Sequence, residues 1–228
     1  MLKPIRAGSE DVPGPRRYRS LLLGFVVAVF AIGFMSLAVD VFEGDTGRFD
    51  AFLASVAQSL RAGRPWLGEV MRDLSGLGST VALTLVVGLT AGYLLVVGRR
   101  STALMVVASA SLGALAVSAM KTLFSRARPD RPIAEFVASG LSFPSGHATM
   151  SAAVFLTLGA LLAGTRVRWQ ERVYIVGAAV ILTVAVGTSR VMLGVHWATD
   201  VLAGWAFGSA WAALWLLVAG RIRSSGAA

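Results

Sequence analysis

The sequence predicts an all-α fold: a bundle of six transmembrane helices, with short amphipathic interfacial helices in the first outer loop. Three observations carry this. Hydrophobic residues make up 56% of the 228-residue chain and charged residues only 14%, against roughly a quarter charged in an ordinary soluble domain. The mean hydropathy is +0.72, which fits lipid as the solvent and excludes disorder and collagen-like repeats. The apolar residues also fall into six runs, each close to the roughly 20 residues that cross about 30 Å of hydrocarbon.

Residues 1–20 are polar and basic, with Lys3, Arg6, Arg16, Arg17 and Arg19 among Pro4, Pro13 and Pro15, and are expected to form a cytoplasmic tail. The run Leu21–Phe42 is too long for the roughly 7–15-residue apolar core of a signal peptide, so it is assigned as the first span. The next runs are Ser79–Gly98, Ser101–Phe124, Gly146–Gly164, Val173–Leu193 and Ala198–Gly220. A six-span domain thus covers residues 21–220, and 221–228 form a second cytoplasmic tail. Glu43–Gly78 and Ser125–Ser145 are the long connections. In the first, Phe49, Phe52, Leu53, Val56 and Leu60 recur at helical spacing, as do Trp66, Leu67, Val70, Met71 and Leu74. Two helices lying in the outer interface fit this pattern, and so does a lid packed on the bundle. Gly88 with Gly92, and Gly204 with Gly208, suit close packing inside the bundle, with dimerising faces as the alternative. No internal repeat suggests a transporter built from duplicated halves.

The charges orient the spans. The net charge is +9, from 21 basic and 12 acidic residues. With the N-terminus inside, the inner segments hold 12 of the basic residues and three of the acids, and the outer side holds the remaining nine of each. That asymmetry places both termini in the cytoplasm. The basic residues are scattered over short loops and do not cluster on one soluble face, so no nucleic-acid partner is expected. The chain has no cysteine and only two histidines. That excludes a disulfide framework, thiolate chemistry and a histidine-rich metal cluster.

In this topology the informative ionisable residues gather in three places, all at outer ends of spans, where such groups are costly. The first is Lys121, followed by Arg126, Arg128 and Arg131, with Pro129 and Pro132 stopping any helix. Such cations suit an anion with several oxygens, or simply snorkel at the interface. The second is Ser142-Phe143-Pro144-Ser145-Gly146-His147, directly before a span. Free amide N–H groups and the helix dipole make that helix start an anion cradle. Gly146 permits close backbone approach, and Ser145 adds a donor or a cap. The third is Ser189-Arg190, then His196 and Asp200. The last two are four apart, so on a helix they share a face. A carboxylate on one imidazole nitrogen fixes the tautomer and sharpens the other as a nucleophile, or the pair merely ties two helices. Together, cations, cradle and two histidines suit phosphoryl transfer through a phosphohistidine.

These residues resemble the type-2 phosphatidic acid phosphatases, or lipid phosphate phosphatases. The first family motif is Lys121 with Arg128-Pro129, the second Pro144-Ser145-Gly146-His147, and the third Ser189-Arg190 with His196 and Asp200. All three are complete and in order over residues 121–200. The resemblance implies His196 as nucleophile, Asp200 as its orienting partner and His147 as general acid. Lys121, Arg128, Ser145, Gly146, Ser189 and Arg190 would hold phosphate oxygens. It also implies no metal and no cofactor, a membrane lipid phosphate as substrate, and a site on the outer or periplasmic face of an inner membrane. Many bacterial first motifs continue as Arg-Pro-Arg-Pro, whereas here Asp130 intervenes before Arg131-Pro132. Phosphatidate, phosphatidylglycerol phosphate and undecaprenyl pyrophosphate are all candidate substrates, and some relatives transfer phosphate to a second lipid. The oligomeric state is not legible.

Overall fold

The computed structural model describes the backbone of residues 15–129 and 140–225, and the side chains of residues 18–129 and 140–221. Asp130, Arg131 and Pro132 lie outside the described residues, as do residues 1–14. Eight helices follow in chain order among the described residues: α1 (Pro15–Glu43), α2 (Gly47–Arg61), α3 (Pro65–Gly76), α4 (Thr80–Val96), α5 (Arg100–Phe124), α6 (Gly146–Ala163), α7 (Trp169–Met192) and α8 (Ala198–Ser225). Among the described residues six segments are long and apolar enough to cross a membrane, the second running from Pro65 through α3 and α4 to Val96. The six expected runs lie on α1, α4, α5, α6, α7 and α8. Two boundaries move: α1 begins at Pro15 and α8 continues to Ser225, so helix extends into both segments assigned as tails. Arg and Tyr do not break a helix, and Pro is tolerated at its first position.

Several ends have visible causes. Pro65 occupies the first turn of α3. Ser79 caps α4, its hydroxyl accepting from the Ala82 amide at 3.2 Å. At the end of α5, Ser125 takes a left-handed conformation, φ 44°, and its amide donates to the Lys121 carbonyl at 3.0 Å. That conformation costs a side-chain-bearing residue about 1–2 kcal/mol. It turns the chain sharply, and the next residue, Arg126, reaches back to α8.

The interior is rich in small residues. α6 packs against α7 and α8, and α8 also against α1. The buried face of α6 is Ala148, Thr149, Ser151, Ala152, Ala153, Val154, Thr157 and Ala163. A Cβ at Gly208 would meet the Thr149 carbonyl, and one at Gly204 would lie 3.0 Å from the Ser145 carbonyl. This pair therefore lets α8 close on α6 within the chain, as expected. Gly88 and Gly92 do not follow that expectation: a Cβ at either meets nothing within 4 Å, so they pack closely against no other helix among the described residues. Many large apolar side chains point outward, including Leu21, Phe25, Ile32, Leu85, Leu89 and Ile181. Small residues inside and large ones outside are what close helix packing in lipid favours.

α2 and α3 pack on the bundle, α2 against α7 and α8 and α3 against α7. They bury Asp50, Ala57 and Ser75. Phe49, Phe52, Val56 and Leu60 of α2, and Trp66 and Val70 of α3, stay exposed.

Candidate active site

The end of α5, the start of α6, the end of α7 and the start of α8 meet at one end of the bundle, with α2 and α3 laid over them. The loop before α6 is anchored by Phe143, which is fully buried with its ring 4.7 Å from Phe124 and 6.1 Å from Phe34. The Ser145 amide donates to the Asp200 carbonyl at 3.0 Å, fixing this loop to α8. Helix α6 then starts at Gly146, and its first amides have no intrahelical acceptor. A Cβ at Gly146 would lie 3.9 Å from the Lys121 side chain, so the glycine keeps the cradle open beside a cation. The Ser145 hydroxyl is buried, makes no hydrogen bond among the described residues and does not cap the helix. A buried hydroxyl left without a partner costs about 1–3 kcal/mol unless a ligand meets it.

His196 is the best-determined group. Its Nδ1 lies 3.3 Å from Asp200 Oδ2, and its Nε2 lies 3.0 Å from Arg128 Nη1. A guanidinium only donates, so Nε2 must carry the lone pair and Nδ1 the proton. Asp200 therefore holds the tautomer in which the free lone pair sits beside a cation. Burial pushes the His196 pKa down to about 4, against the opposing pull of Asp200 and with help from Arg128 and Arg190. The imidazole is thus neutral over the physiological range.

Asp200 has four partners. Oδ2 accepts from the Trp197 amide at 2.9 Å, from Ser142 Oγ and from His196, while Oδ1 accepts from Arg126 Nη1 at 2.7 Å. The bond from Trp197 is a capping-box bond, with a side chain in the first turn of α8 reaching back to the residue before it. Lys121 donates to the Leu141 carbonyl at 2.6 Å, Arg128 to the Gly140 and Val195 carbonyls at 2.9 and 2.6 Å, and Arg190 to Ser75 Oγ at 2.6 Å. Carbonyl and hydroxyl oxygens thus help to position these cations. His147 is half-buried beside Gly78 and within electrostatic reach of Arg190, His196, Arg128 and Lys121.

The expected residues Lys121, Arg128, Ser145, Gly146, His147, Arg190, His196 and Asp200 thus come together. Ser189 is buried in the last turns of α7, where its hydroxyl donates to the Val186 carbonyl of its own helix at 2.6 Å. Sequence reasoning gave Arg126 no role of its own and overlooked Asp50. Arg126 bridges Asp200 and Asp50 at 2.7 Å each, with Thr199 and Thr46 at 2.8 Å. Asp50 accepts in turn from the Thr199 amide at 3.0 Å. One guanidinium therefore locks α2 onto the start of α8.

Comparisons with known proteins agree with this architecture. The PAP2 superfamily model matches residues 102–224. The chain is 32% identical over 179 residues to phosphatidylglycerophosphatase B of Bacillus subtilis, covering 77% of this chain and 85% of that protein. It is 33% identical over 155 residues to decaprenylphosphoryl-5-phosphoribose phosphatase of Mycobacterium tuberculosis, covering 67% and 80%. The crystal structure of a transmembrane PAP2-type phosphatidylglycerolphosphate phosphatase from Bacillus subtilis superposes with a TM-score of 0.77 at 28% identity, over 88% of this chain and 97% of that one.

Proposed function

The chain belongs to the PAP2 superfamily and is a membrane-embedded phosphoric ester hydrolase, and from that premise we propose that it releases phosphate from a lipid phosphate monoester or diphosphate through a phosphohistidine on His196. The observation that carries the mechanism is the tautomer of His196, with its lone pair on Nε2 beside Arg128 and its proton held by Asp200. In the first step the Nε2–phosphorus bond forms and the bond from phosphorus to the lipid oxygen breaks. His147, whose protonated form the bound phosphate's negative charge stabilises against the surrounding cations, gives its proton to that oxygen, so the lipid leaves as an alcohol, or as a monophosphate when the substrate is a diphosphate. In the second step water attacks phosphorus, His147 takes the water proton, and the phosphorus–nitrogen bond breaks. Lys121, Arg128 and Arg190 neutralise the equatorial oxygens, and the amides at the start of α6 with the Ser145 hydroxyl complete the cradle.

Metal independence belongs to the same reading. The charge stabilisation falls to three cations, Lys121, Arg128 and Arg190, and no three His, Cys, Asp or Glu side chains converge among the described residues. The site faces the outer or periplasmic side of an inner membrane, with both termini in the cytoplasm, on the strength of the charge asymmetry. The exposed apolar faces of α2 and α3 lie in the outer interface, so these helices both cover the site and touch lipid. The relatives favour a phosphatidylglycerol phosphate or prenyl phosphate type of substrate.

The test is phosphate release by detergent-purified protein in EDTA, from phosphatidate, phosphatidylglycerol phosphate and undecaprenyl pyrophosphate, with His196→Ala alongside. Release from at least one lipid, lost in the variant, is expected. Release that needs added metal, or that survives in the variant, contradicts the mechanism. Phosphate passed to a second lipid without being freed would reassign the enzyme as a phosphotransferase.

A further inference from the structure

α2 has a third face besides the one buried on the bundle and the apolar one exposed. Ala51, Ala54, Gln58 and Arg61 recur along it, and they line a cavity of about 340 Å³ whose wall also includes His196 and Pro129. That volume lies in the range of small-molecule pockets, roughly 300–1,000 Å³. The two alanines keep it open, and Arg61 puts a cation in its wall. Arg61 is outside the matched family region, which begins at residue 102.

The state of Arg61 is unusual for a structural arginine. Its Nε and Nη1 are closed to solvent and have no hydrogen-bond partner among the described residues. Burial lowers its pKa. It stands in the last turn of α2, where a cation is favoured by the exposed carbonyls. That task is performed by Arg64, which donates to the Leu60 carbonyl at 2.9 Å. A partly buried guanidinium with two unmet donors can turn toward an oxyanion in the adjoining cavity, and its planar fork matches two oxygens of a phosphate.

We propose that Arg61 forms a second phosphate subsite, which holds an uncleaved phosphoryl group of the lipid while the scissile phosphate is attacked by His196. The proposal deepens the lipid-phosphatase reading and rests on it. It makes the preferred substrate class a lipid bearing two phosphoryl groups, a diester plus a terminal monoester or a diphosphate, and makes a simple monoester a poorer one.

The test compares Arg61→Gln and Arg61→Lys with the unaltered protein on phosphatidylglycerol phosphate and on phosphatidate, which lacks the second phosphate. Arg61→Gln should lower kcat/KM on the first by about tenfold or more and on the second by less than about threefold, with partial recovery in Arg61→Lys. Equal losses on both lipids, or no loss on either, overturn the subsite. A readout without turnover accompanies this: thermal stabilisation by methylenediphosphonate against methylphosphonate. The unaltered protein should prefer the bisphosphonate and Arg61→Gln should not. The absence of that preference in the unaltered protein also overturns the subsite. Preference for the bisphosphonate without phosphate release from any lipid would keep the subsite and discard the hydrolase reading. Robust release from both lipids that Arg61→Gln leaves unchanged would do the reverse.

Discussion

The two ends of the bundle hold the same kind of side chain in opposite circumstances. At one end Lys121, Arg126, Arg128 and Arg190 are partly or wholly buried, and bond to carbonyls, hydroxyls and carboxylates within the fold. At the other, Arg99, Arg100, Arg166, Arg168 and Arg172 are all exposed. Charges of the second kind carry orientation, and their local partners contribute little to stability. Charges of the first kind have lost water, so each needs a fixed partner or a ligand. Arg126 has the fixed partners, Asp50 and Asp200. Lys121, Arg128 and Arg190 donate to carbonyl and hydroxyl oxygens beside the buried Ser145 hydroxyl and a helix start, an arrangement suited to an incoming anion.

The largest effect should come from the group that distinguishes the buried end. His196→Ala should remove phosphate release by about 10⁴-fold or more while leaving the melting profile in detergent intact. Retained release would show that the buried end does something other than nucleophilic catalysis.

Next comes the clamp. Arg126→Ala leaves two buried carboxylates without their cation and should cost about 3–5 kcal/mol of stability, read as a lowered melting temperature. The double variant Arg126→Ala with Asp50→Asn should recover part of that loss. At the exposed end Arg168→Ala should stay within about 0.5 kcal/mol. Similar shifts at both ends would erase the distinction drawn between them.

The fold and site were unequally legible. The six spans follow from length and hydropathy, because lipid demands about 20 apolar residues wherever a helix crosses. Lys121, Arg128, Ser145, Gly146, His147, Arg190, His196 and Asp200 stand in short local spacings that a reader can recognise. Asp50 does not: its partner Arg126 is 76 positions away, and in the sequence it is one more acid in a polar loop. A signal was present, since Asp50 and Ala57 are seven apart on the face of α2 away from Phe49 and Phe52, but only tertiary packing gives it meaning. The two glycine pairs make the same point. Gly204–Gly208 and Gly88–Gly92 have identical spacing, yet only the first meets a neighbouring helix.

That contrast can be tested at smaller scale. Gly208→Val drives a side chain into the Thr149 carbonyl and should lower stability by about 1–3 kcal/mol, with activity falling as α6 and its cradle shift. Gly88→Val has open space and should change little.

The smallest effect is in the pH profile. Because neutral His196 attacks, kcat/KM should rise with pH only until its pKa is passed, so the acid limb should lie near 4, below the ordinary histidine range. Arg128 disfavours the imidazolium, so Arg128→Ala should move that limb to higher pH whatever it does to the rate. An acid limb already at the ordinary histidine pKa in the unaltered protein would mean that burial does not set the nucleophile's state.

The most direct test of the central claim is to trap the intermediate. Phosphatidylglycerol phosphate labelled in its terminal phosphate would be mixed with enzyme and quenched in alkali within the first turnover. The account predicts label bound to protein, stable in alkali and labile in acid, located on His196 and absent from His196→Ala. Label on any other residue, or complete turnover with no bound label at any quench time, would contradict it.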